Sequence, residues 1–434
     1  MNINPSTQIR SGFIYKLLFI FLTSISALMV IKILPTEQLG IWYIFMAVQS
    51  FILILNNSLT PNITRQFSIG ISQSIIDVKT YCKLMREIYI AVVLSILSIS
   101  LIITFSYLNS VLDIFSYHLI LFSWILLLIS ILFEVYYSLY ECALNGAGFF
   151  KETNKINFIS RVILTILTIF LIITAHEKPE NLIFFCSFYL LSNIYKRIKI
   201  KKLYFSTFKN CNDNHLIKNT ITNYLSNKKT IYYLVYLSLI SSIGGILITR
   251  SAFYILPYYS NLNDIASYGL TYQLFEMGFN IIFMLTTMLT PLLIDLYYNN
   301  PRKIKNIYFK LKYISLFFYM LVCIFIVYMI PYLLELFNIK THLLERYQLL
   351  FISVLFILQL NHSISGHILT VENKIPFAYP SLITGIFTLI LSLILIQAYN
   401  IYGAIFSLLI SQLLFNNWFW PIKAYFFVRR KYEN

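Results

Sequence analysis

The sequence carries little charge. Only 12% of its 434 residues are Asp, Glu, Lys or Arg, whereas about 25% is usual in soluble proteins. Hydrophobic residues make up 59% of the chain, and the mean hydropathy is +0.74. A water-soluble fold of this length could not bury so much apolar surface. The composition therefore excludes a soluble globular protein and indicates a chain that has the lipid bilayer as its solvent.

Several chemical signatures are also missing. The five cysteines include no CxxC pair and their number is odd, so we expect free thiols. His362 and His367 belong to no HExxH or Cys/His pattern, which argues against a metal site. No P-loop is present, which argues against ATP as the energy source. We therefore expect neither a cofactor nor an enzymatic activity.

Long apolar runs are what the chain has instead. A membrane-spanning helix needs ~20 largely apolar residues, and these runs are continuous rather than alternating, as they would be in a β-barrel. We predict an all-α polytopic membrane protein with about twelve transmembrane helices. The predicted spans are 12–34, 41–60, 88–108, 118–139, 157–175, 182–195, 231–255, 266–290, 313–331, 344–369, 377–398 and 402–420.

The basic residues lie between the apolar runs, which favours a membrane protein over a nucleic-acid-binding one. If both termini are cytoplasmic, 28 of the 33 Lys and Arg fall in cytoplasmic segments, as the positive-inside rule requires. The longest hydrophilic stretch, 196–230, holds nine of them. We interpret this stretch as a basic cytoplasmic linker, whose cations could also lie on anionic lipid.

Two motifs recur about half a chain apart. NKINF at 154–158 returns as NKIPF at 373–377, an offset of 219 residues. Leu39-Gly40 and Tyr268-Gly269 each begin a span that ends in Thr-Pro. We predict two parallel six-helix repeats around a central cavity. The predicted domains are an N-terminal half (1–195), the linker (196–230), a C-terminal half (231–420) and a cytoplasmic tail (421–434).

Three loop motifs carry a family resemblance. LPTEQLGIW at 34–42 resembles the outer loop between the first two spans of polysaccharide flippases, and DIASYG at 264–269 resembles its second-half counterpart. LNG at 144–146, followed by Lys151 and Lys155, resembles the loop after span four. The whole chain is similar to the O-antigen flippases of the Wzx type, in the multidrug/oligosaccharidyl-lipid/polysaccharide exporter superfamily.

The resemblance implies a flippase of lipopolysaccharide biosynthesis in the bacterial inner membrane. Its substrate would be an undecaprenyl-diphosphate-linked oligosaccharide repeat unit, moved from the cytoplasmic to the periplasmic leaflet by alternating access. Its partners would be the O-antigen polymerase and the chain-length regulator, and its coupling would be to a proton or sodium gradient or to substrate flow.

Two alternatives remain open. A small-molecule or drug antiporter of the same superfamily tends to carry an acidic residue in the first span, and 12–34 has none. The O-antigen polymerase, an enzyme, carries a large outer loop, and the outer loops predicted here are short.

Charged and polar side chains inside the predicted spans are candidate substrate contacts, because an intramembrane charge is costly. Gln273, Glu276, Asn280 and Thr287 are spaced to share one face of span eight. We expect this face to line the cavity and Glu276 to be a candidate for ion coupling. The alternative is an interhelical hydrogen-bond seam.

Other candidates are scattered along the chain. Arg250 is a candidate contact for an anion, with snorkelling to the outer surface as the alternative. A diphosphate is best held by Arg or Lys, so basic residues at the inner ends of the spans could form a cytoplasmic mouth. The remaining cavity candidates are Gln49, Asn56, Glu134 and Lys32, and the mouth candidates are Arg10, Lys16 and Arg65.

Overall fold

The computed structural model describes residues 5–72, 77–104, 117–174, 180–209, 214–289, 293, 301–336, 339–372 and 376–433. This part of the chain is almost entirely helical and contains no strand, which confirms the all-α prediction. The helices are α1 (Pro5–Ile33), α2 (Thr36–Ile52), α3 (Ile54–Ser72), α4 (Val78–Ile103), α5 (Tyr117–Gly146), α6 (Phe150–Thr174), α7 (Asn181–Thr207), α8 (Asn214–Ile255), α9 (Leu262–Met288), α10 (Pro301–Leu336), α11 (Arg346–Ile368), α12 (Ala378–Ser411) and α13 (Asn417–Glu433).

The apolar helices account for a multi-pass membrane protein. In the described residues, eight helices are long and apolar enough to cross a membrane, or nine if the bent pair α2 and α3 is one span. Helices α7 and α9 are not among them, because α7 has a short apolar run and a basic second half and α9 carries several polar side chains. Since α12 and α13 count there as one segment, 378–429, about twelve spans remain compatible with the fold.

Three predicted spans differ in detail from the helices. Span two is broken between α2 and α3, which are bent by 48°. Pro61 was expected to end that span, but α3 continues to Ser72, since a proline removes one amide from the helical ladder and the rest can still pair. Spans eleven and twelve are separated at Asn400, whose φ of 48° and ψ of −121° reverse the chain inside α12.

The predicted linker 196–230 is mostly helical where it is described. Helix α7 continues to Thr207, and α8 begins at Asn214. Of the repeated motif, 154–158 lies in the first turns of α6, whereas 373–375 lies outside the described residues. The two parallel repeats and their boundaries therefore stay a prediction.

Contacts divide the chain into two compact units. The first unit consists of Met1–Pro35 and Val48–Ser242, and the second of Thr36–Ala47 and Ile243–Asn434. The first half of α2 thus belongs to the second unit, although it comes early in the sequence.

Interhelical hydrogen bonds hold the first unit together. Asn181 Nδ2 donates to the carbonyl of Ile33 at 3.0 Å and so ties α7 to the end of α1. Asn193 Nδ2 donates to the carbonyl of Ser130 at 2.9 Å and joins α7 to α5. Such bonds supply specificity between membrane helices, where lipid leaves no hydrophobic force to drive helices together.

In the second unit, the two motif glycines lie where α2 and α9 meet. A Cβ on Gly40 would collide with the backbone of Leu262, and a Cβ on Gly269 would collide with the ring of Tyr43. Tyr43 also donates from its hydroxyl to Gln273 Oε1 at 2.7 Å. The glycines of the LG and YG motifs therefore permit a close approach of two helices.

Candidate functional site

A half-buried ion pair in the second unit joins two of the predicted site residues. Arg250 of α8 donates from Nη2 to both carboxylate oxygens of Glu276 on α9, at 2.8 and 3.0 Å. The guanidinium also lies over the rings of Phe253 and Tyr272, at 5.9 and 5.5 Å from their centroids. The two charges are 26 residues apart in the sequence, and no spacing pattern pairs them. Their pairing lowers the cost of placing either charge inside apolar helices.

The rest of the polar face of α9 has a mixed environment. Gln273 accepts a hydrogen bond from the hydroxyl of Tyr43, as expected for an interhelical hydrogen-bond seam. Asn280 and Thr287 are exposed on the second unit, and Thr287 Oγ1 donates to the carbonyl of Met284 in its own helix at 2.9 Å. Gln273 therefore belongs to an interhelical hydrogen-bond seam, whereas Asn280 and Thr287 lie on the exposed part of this face.

The first unit contains a larger charge cluster, made of Glu134 and Glu141 on α5, Arg161 on α6, and Lys196 and Arg197 on α7. Arg197 is its centre: its side chain is 2% exposed, and it donates to Glu141 Oε2 at 2.7 Å and to Glu134 Oε1 at 2.9 Å. Lys196 Nζ lies 3.8 Å from Glu141 Oε2. The ion pairs of this cluster join α5 to α7 inside a largely apolar bundle.

Hydrogen bonds with two asparagine side chains orient this cluster. Asn157 Nδ2 donates to Glu141 Oε1 at 3.0 Å, and Arg197 Nε donates to Asn193 Oδ1 at 3.4 Å.

A small polar cavity adjoins the cluster. It has a volume of about 100 Å³ and is open on one side. Glu134, Arg161 and Lys196 bring charges to its wall. Arg161 forms no ion pair within 4.0 Å in the described part of the chain and lies 5.3 Å from the ring centroid of Phe19. The other residues that line the cavity are Phe19, Ser160, Leu164, Tyr189, Ser192 and Asn193.

Two further predicted cavity residues lie in the broken span of the first unit. Gln49 is buried near the end of α2, within reach of Tyr189 on the cavity wall. Asn56 is buried in α3, and its Oδ1 accepts from Ser138 Oγ at 2.9 Å. Because the 48° bend lies between them, they do not form one straight polar face. Asn56 belongs to a seam with α5.

The other predicted site residues are exposed or lie outside the described residues. Lys32 is exposed at the end of α1, and Lys16 and Arg65 are exposed on α1 and α3. The side chain of Arg10 lies outside the described residues. The cytoplasmic mouth for a diphosphate therefore stays a prediction.

Glu141, Arg161, Lys196 and Arg197 were missed as site residues. Lys196 and Arg197 fall at the start of the predicted linker 196–230, and Arg161 lies in the predicted span 157–175. A signal was nevertheless present: Glu134 and Glu141 are seven residues apart, which places both carboxylates on one face of a helix. The partner of those carboxylates could not be read from the sequence.

Comparisons with known proteins give a consistent fold. No protein-family model and no curated protein sequence matches the chain. An inward-facing "multidrug resistance MATE family transporter of the MOP superfamily" superimposes with a TM-score of 0.65 at 14% identity, covering 96% of this chain and 94% of the other. Its outward-facing counterpart gives 0.61 at 14% identity, with 100% and 97% covered.

A third similar structure is a MOP superfamily transporter from Pyrococcus furiosus. It has a TM-score of 0.61 at 14% identity and covers 99% of this chain and 96% of its own. Its description states that "reverse polarity of binding pocket suggests different function". All three similar structures are transporters, and the likeness extends over nearly the whole chain. The chain therefore has the fold of the MATE transporters of the MOP superfamily.

Proposed function

We propose that this protein is a flippase for a diphosphate-linked oligosaccharide lipid, which it moves between the two leaflets by alternating access. The fold supports transport, since inward-facing and outward-facing transporters share it. The loop motifs at 34–42, 144–146 and 264–269 support the polysaccharide branch of the superfamily. Export would run from the cytoplasmic to the periplasmic leaflet, in a bacterial inner membrane.

The observation that carries the proposal is the excess of positive charge at the cavity of the first unit. Three cations, Arg161, Lys196 and Arg197, adjoin it together with two carboxylates. Glu134 and Glu141 are both engaged by Arg197, which leaves Arg161 without an acidic partner within 4.0 Å among the described residues. A guanidinium free to bind an anion suits a diphosphate and repels an organic cation.

The ion pair of the second unit supports transport more generally. Arg250 and Glu276 lie in the interior of α8 and α9, where charges in membrane proteins usually mark a substrate or ion path. A structural role would be served as well by apolar side chains of the same volume.

A small-molecule antiporter is the second candidate. The observation that favours it is the description of the similar structures as multidrug resistance transporters. At 14% identity this likeness concerns the fold, and the cationic cavity favours an anionic substrate instead. An O-antigen polymerase is disfavoured, because the similar structures are transporters rather than enzymes.

Deletion of the gene in its own bacterium tests the proposal. We expect single lipid-diphosphate-linked repeat units to accumulate on the cytoplasmic face and surface polysaccharide to be lost. Accumulation on the periplasmic face would indicate a polymerase. Unchanged polysaccharide with increased sensitivity to cationic drugs would refute the flippase and favour the antiporter.

Replacing Arg161 tests the cavity itself. A charge-assisted hydrogen bond contributes about 1.5–3 kcal/mol, so Arg161→Ala should lower the affinity for the lipid diphosphate about 10- to 100-fold. The matched control is Lys155→Ala, which removes an exposed cation from the same helix. Binding is measured on purified protein with a prenyl diphosphate and with the corresponding prenol. Equal losses in the two variants, or equal binding of both lipids, would contradict the role of Arg161.

A further inference from the structure

A basic and aromatic patch lies on the surface of the first unit, in the turns of α7 that follow Arg197. We define it as Lys199, Lys201 and Lys202 on α7, and Lys83 and Arg86 on α4. All five side chains are exposed. None makes a salt bridge within 4.0 Å in the described part of the chain. The patch therefore carries an excess of positive charge, with the exposed Glu87 of α4 beside Arg86 as its acidic neighbour.

Contacts between helices bring the two halves of the patch together. Lys79 Nζ, at the start of α4, donates to the carbonyl of Lys209 just after α7, at 2.8 Å. Tyr140 of α5 lies between them: its ring centroid is 4.8 Å from that of Tyr204 on α7, and it is close enough to Arg86 for electrostatic interaction. Arg86 therefore lies near the same tyrosine of α5 on which α7 packs.

Aromatic rings accompany the lysines. Lys201 Nζ lies 5.4 Å from the ring centroid of Tyr137, and Lys199 Nζ lies 5.7 Å from that of Tyr195. Tyrosines flanked by lysines are typical of the depth at which lipid headgroups begin. The patch therefore combines the two residue types that membrane proteins use at the interface.

An apolar surface leads from the hydrocarbon to these lysines. Phe184, Leu191 and Ile198 of α7 are 45%, 55% and 59% exposed, follow one another at intervals of seven residues and precede the lysines. This spacing keeps them on one face of the helix, and Lys202, four residues after Ile198, lies on that same face. An acyl chain lying along the face would have its headgroup at the lysines.

We propose that this patch is a binding site for an anionic phospholipid. Its phosphate would be held by Lys201 and Lys202, which follow Ile198 by three and four residues and therefore lie beside the apolar face of α7. Its acyl chains would lie on that face, and Lys199, one turn before Lys202, would add positive charge. The charge of the patch selects an anionic headgroup over a zwitterionic one, and the adjoining apolar face selects a lipid over a soluble anion. The site goes beyond the proposed function and does not depend on it, because no patch residue lines the cavity at Arg161.

The test uses the full chain purified in a neutral detergent. Native mass spectrometry counts bound lipid during titration with phosphatidylglycerol or with phosphatidylcholine of the same acyl chains. We expect phosphatidylglycerol to bind more tightly. The preference should disappear at about 1 M salt, where the Debye length falls to ~3 Å. Equal binding of the two lipids would overturn the proposal.

A matched pair of variants locates the site. K199Q/K201Q/K202Q removes three charges from the patch, whereas K151Q/K155Q/K303Q removes three exposed charges elsewhere. Each basic residue near an anionic surface contributes about fivefold in affinity, so the patch variant should lose about 100-fold. The control should change by less than about fivefold.

Two outcomes of this comparison would overturn the proposal: equal losses in both variants, or full binding by the patch variant. Circular dichroism and thermal unfolding without added lipid verify that both variants are folded. Inorganic diphosphate as a competitor separates the sites, because it should displace a ligand from the Arg161 cavity and leave bound phosphatidylglycerol in place. Loss of lipid binding with flipping intact would leave the proposed function untouched.

Discussion

Replacement of Arg197 by methionine is the sharpest test of how the first unit is held together. The substitution keeps a long side chain and removes the charge that faces Glu134 at 2.9 Å and Glu141 at 2.7 Å. Two carboxylates then remain inside the helix bundle with the shared guanidinium gone. We expect loss of stability from repulsion and unpaired charge rather than from lost packing volume.

The magnitude follows from the burial of the partners. Removing one member of a buried ion pair costs about 3–5 kcal/mol, because the remaining charge is left unpaired. Glu134 and Glu141 retain 26% and 17% exposure, and Lys196 lies 3.8 Å from Glu141, so water and a second cation reduce the penalty. We therefore expect about 3 kcal/mol for Arg197→Met.

The assay is equilibrium unfolding of the purified protein in mixed detergents. The control is Arg346→Met, which replaces an exposed arginine whose guanidinium lies 5.1 Å from the ring centroid of Tyr328. It should cost under about 1 kcal/mol. The triple variant Arg197→Met/Glu134→Gln/Glu141→Gln should recover most of the stability, since no unpaired charge remains. A single variant as stable as its control, or a triple variant that recovers nothing, would refute this reasoning.

Two further predictions concern the second unit. Gly269→Ala should lower the free energy of unfolding by about 1–3 kcal/mol, because its Cβ would collide with the buried ring of Tyr43. The control, Gly245→Ala, has open space at its Cβ. It should leave the free energy of unfolding unchanged or raise it by up to about 1 kcal/mol, because alanine has the higher helix propensity. Thermal unfolding of the two variants would contradict this if their order were reversed. Glu276→Ala and Arg250→Ala should each impair export of the lipid-linked unit, and Arg250→Lys should be milder if charge alone counts; equal defects for both Arg250 variants would show that the bidentate geometry is required.

Much of the fold follows from apolar run length. Each predicted span overlaps a helix of the structure, because a chain in lipid must satisfy its backbone hydrogen bonds within each segment. The polar character of Glu276 and Arg250 inside such runs was equally visible. Local features that depend on packing could not be predicted from the sequence: Pro61 was expected to end a span and instead lies inside α3.

The ends of the helices show the same limit. The change from apolar to basic residues at Tyr195 marked the predicted end of span six, yet α7 continues to Thr207. Hydropathy reports where lipid ends, while helix length is decided by neighbouring helices and by capping interactions. This is why Lys196 and Arg197 were assigned to a linker, although they lie within a helix that packs on α5.

By itself, the sequence determined that the chain crosses a membrane as helices, and which side chains interrupt their apolar faces. Only the tertiary structure decided which charge meets which: Arg250 with Glu276, and Arg197 with Glu134 and Glu141. The physical reason is that burial in lipid depends on composition along the chain, whereas an ion pair depends on two residues far apart in sequence. The same reason applies to Arg161: that no acidic side chain lies within 4.0 Å of it among the described residues is a property of the tertiary structure.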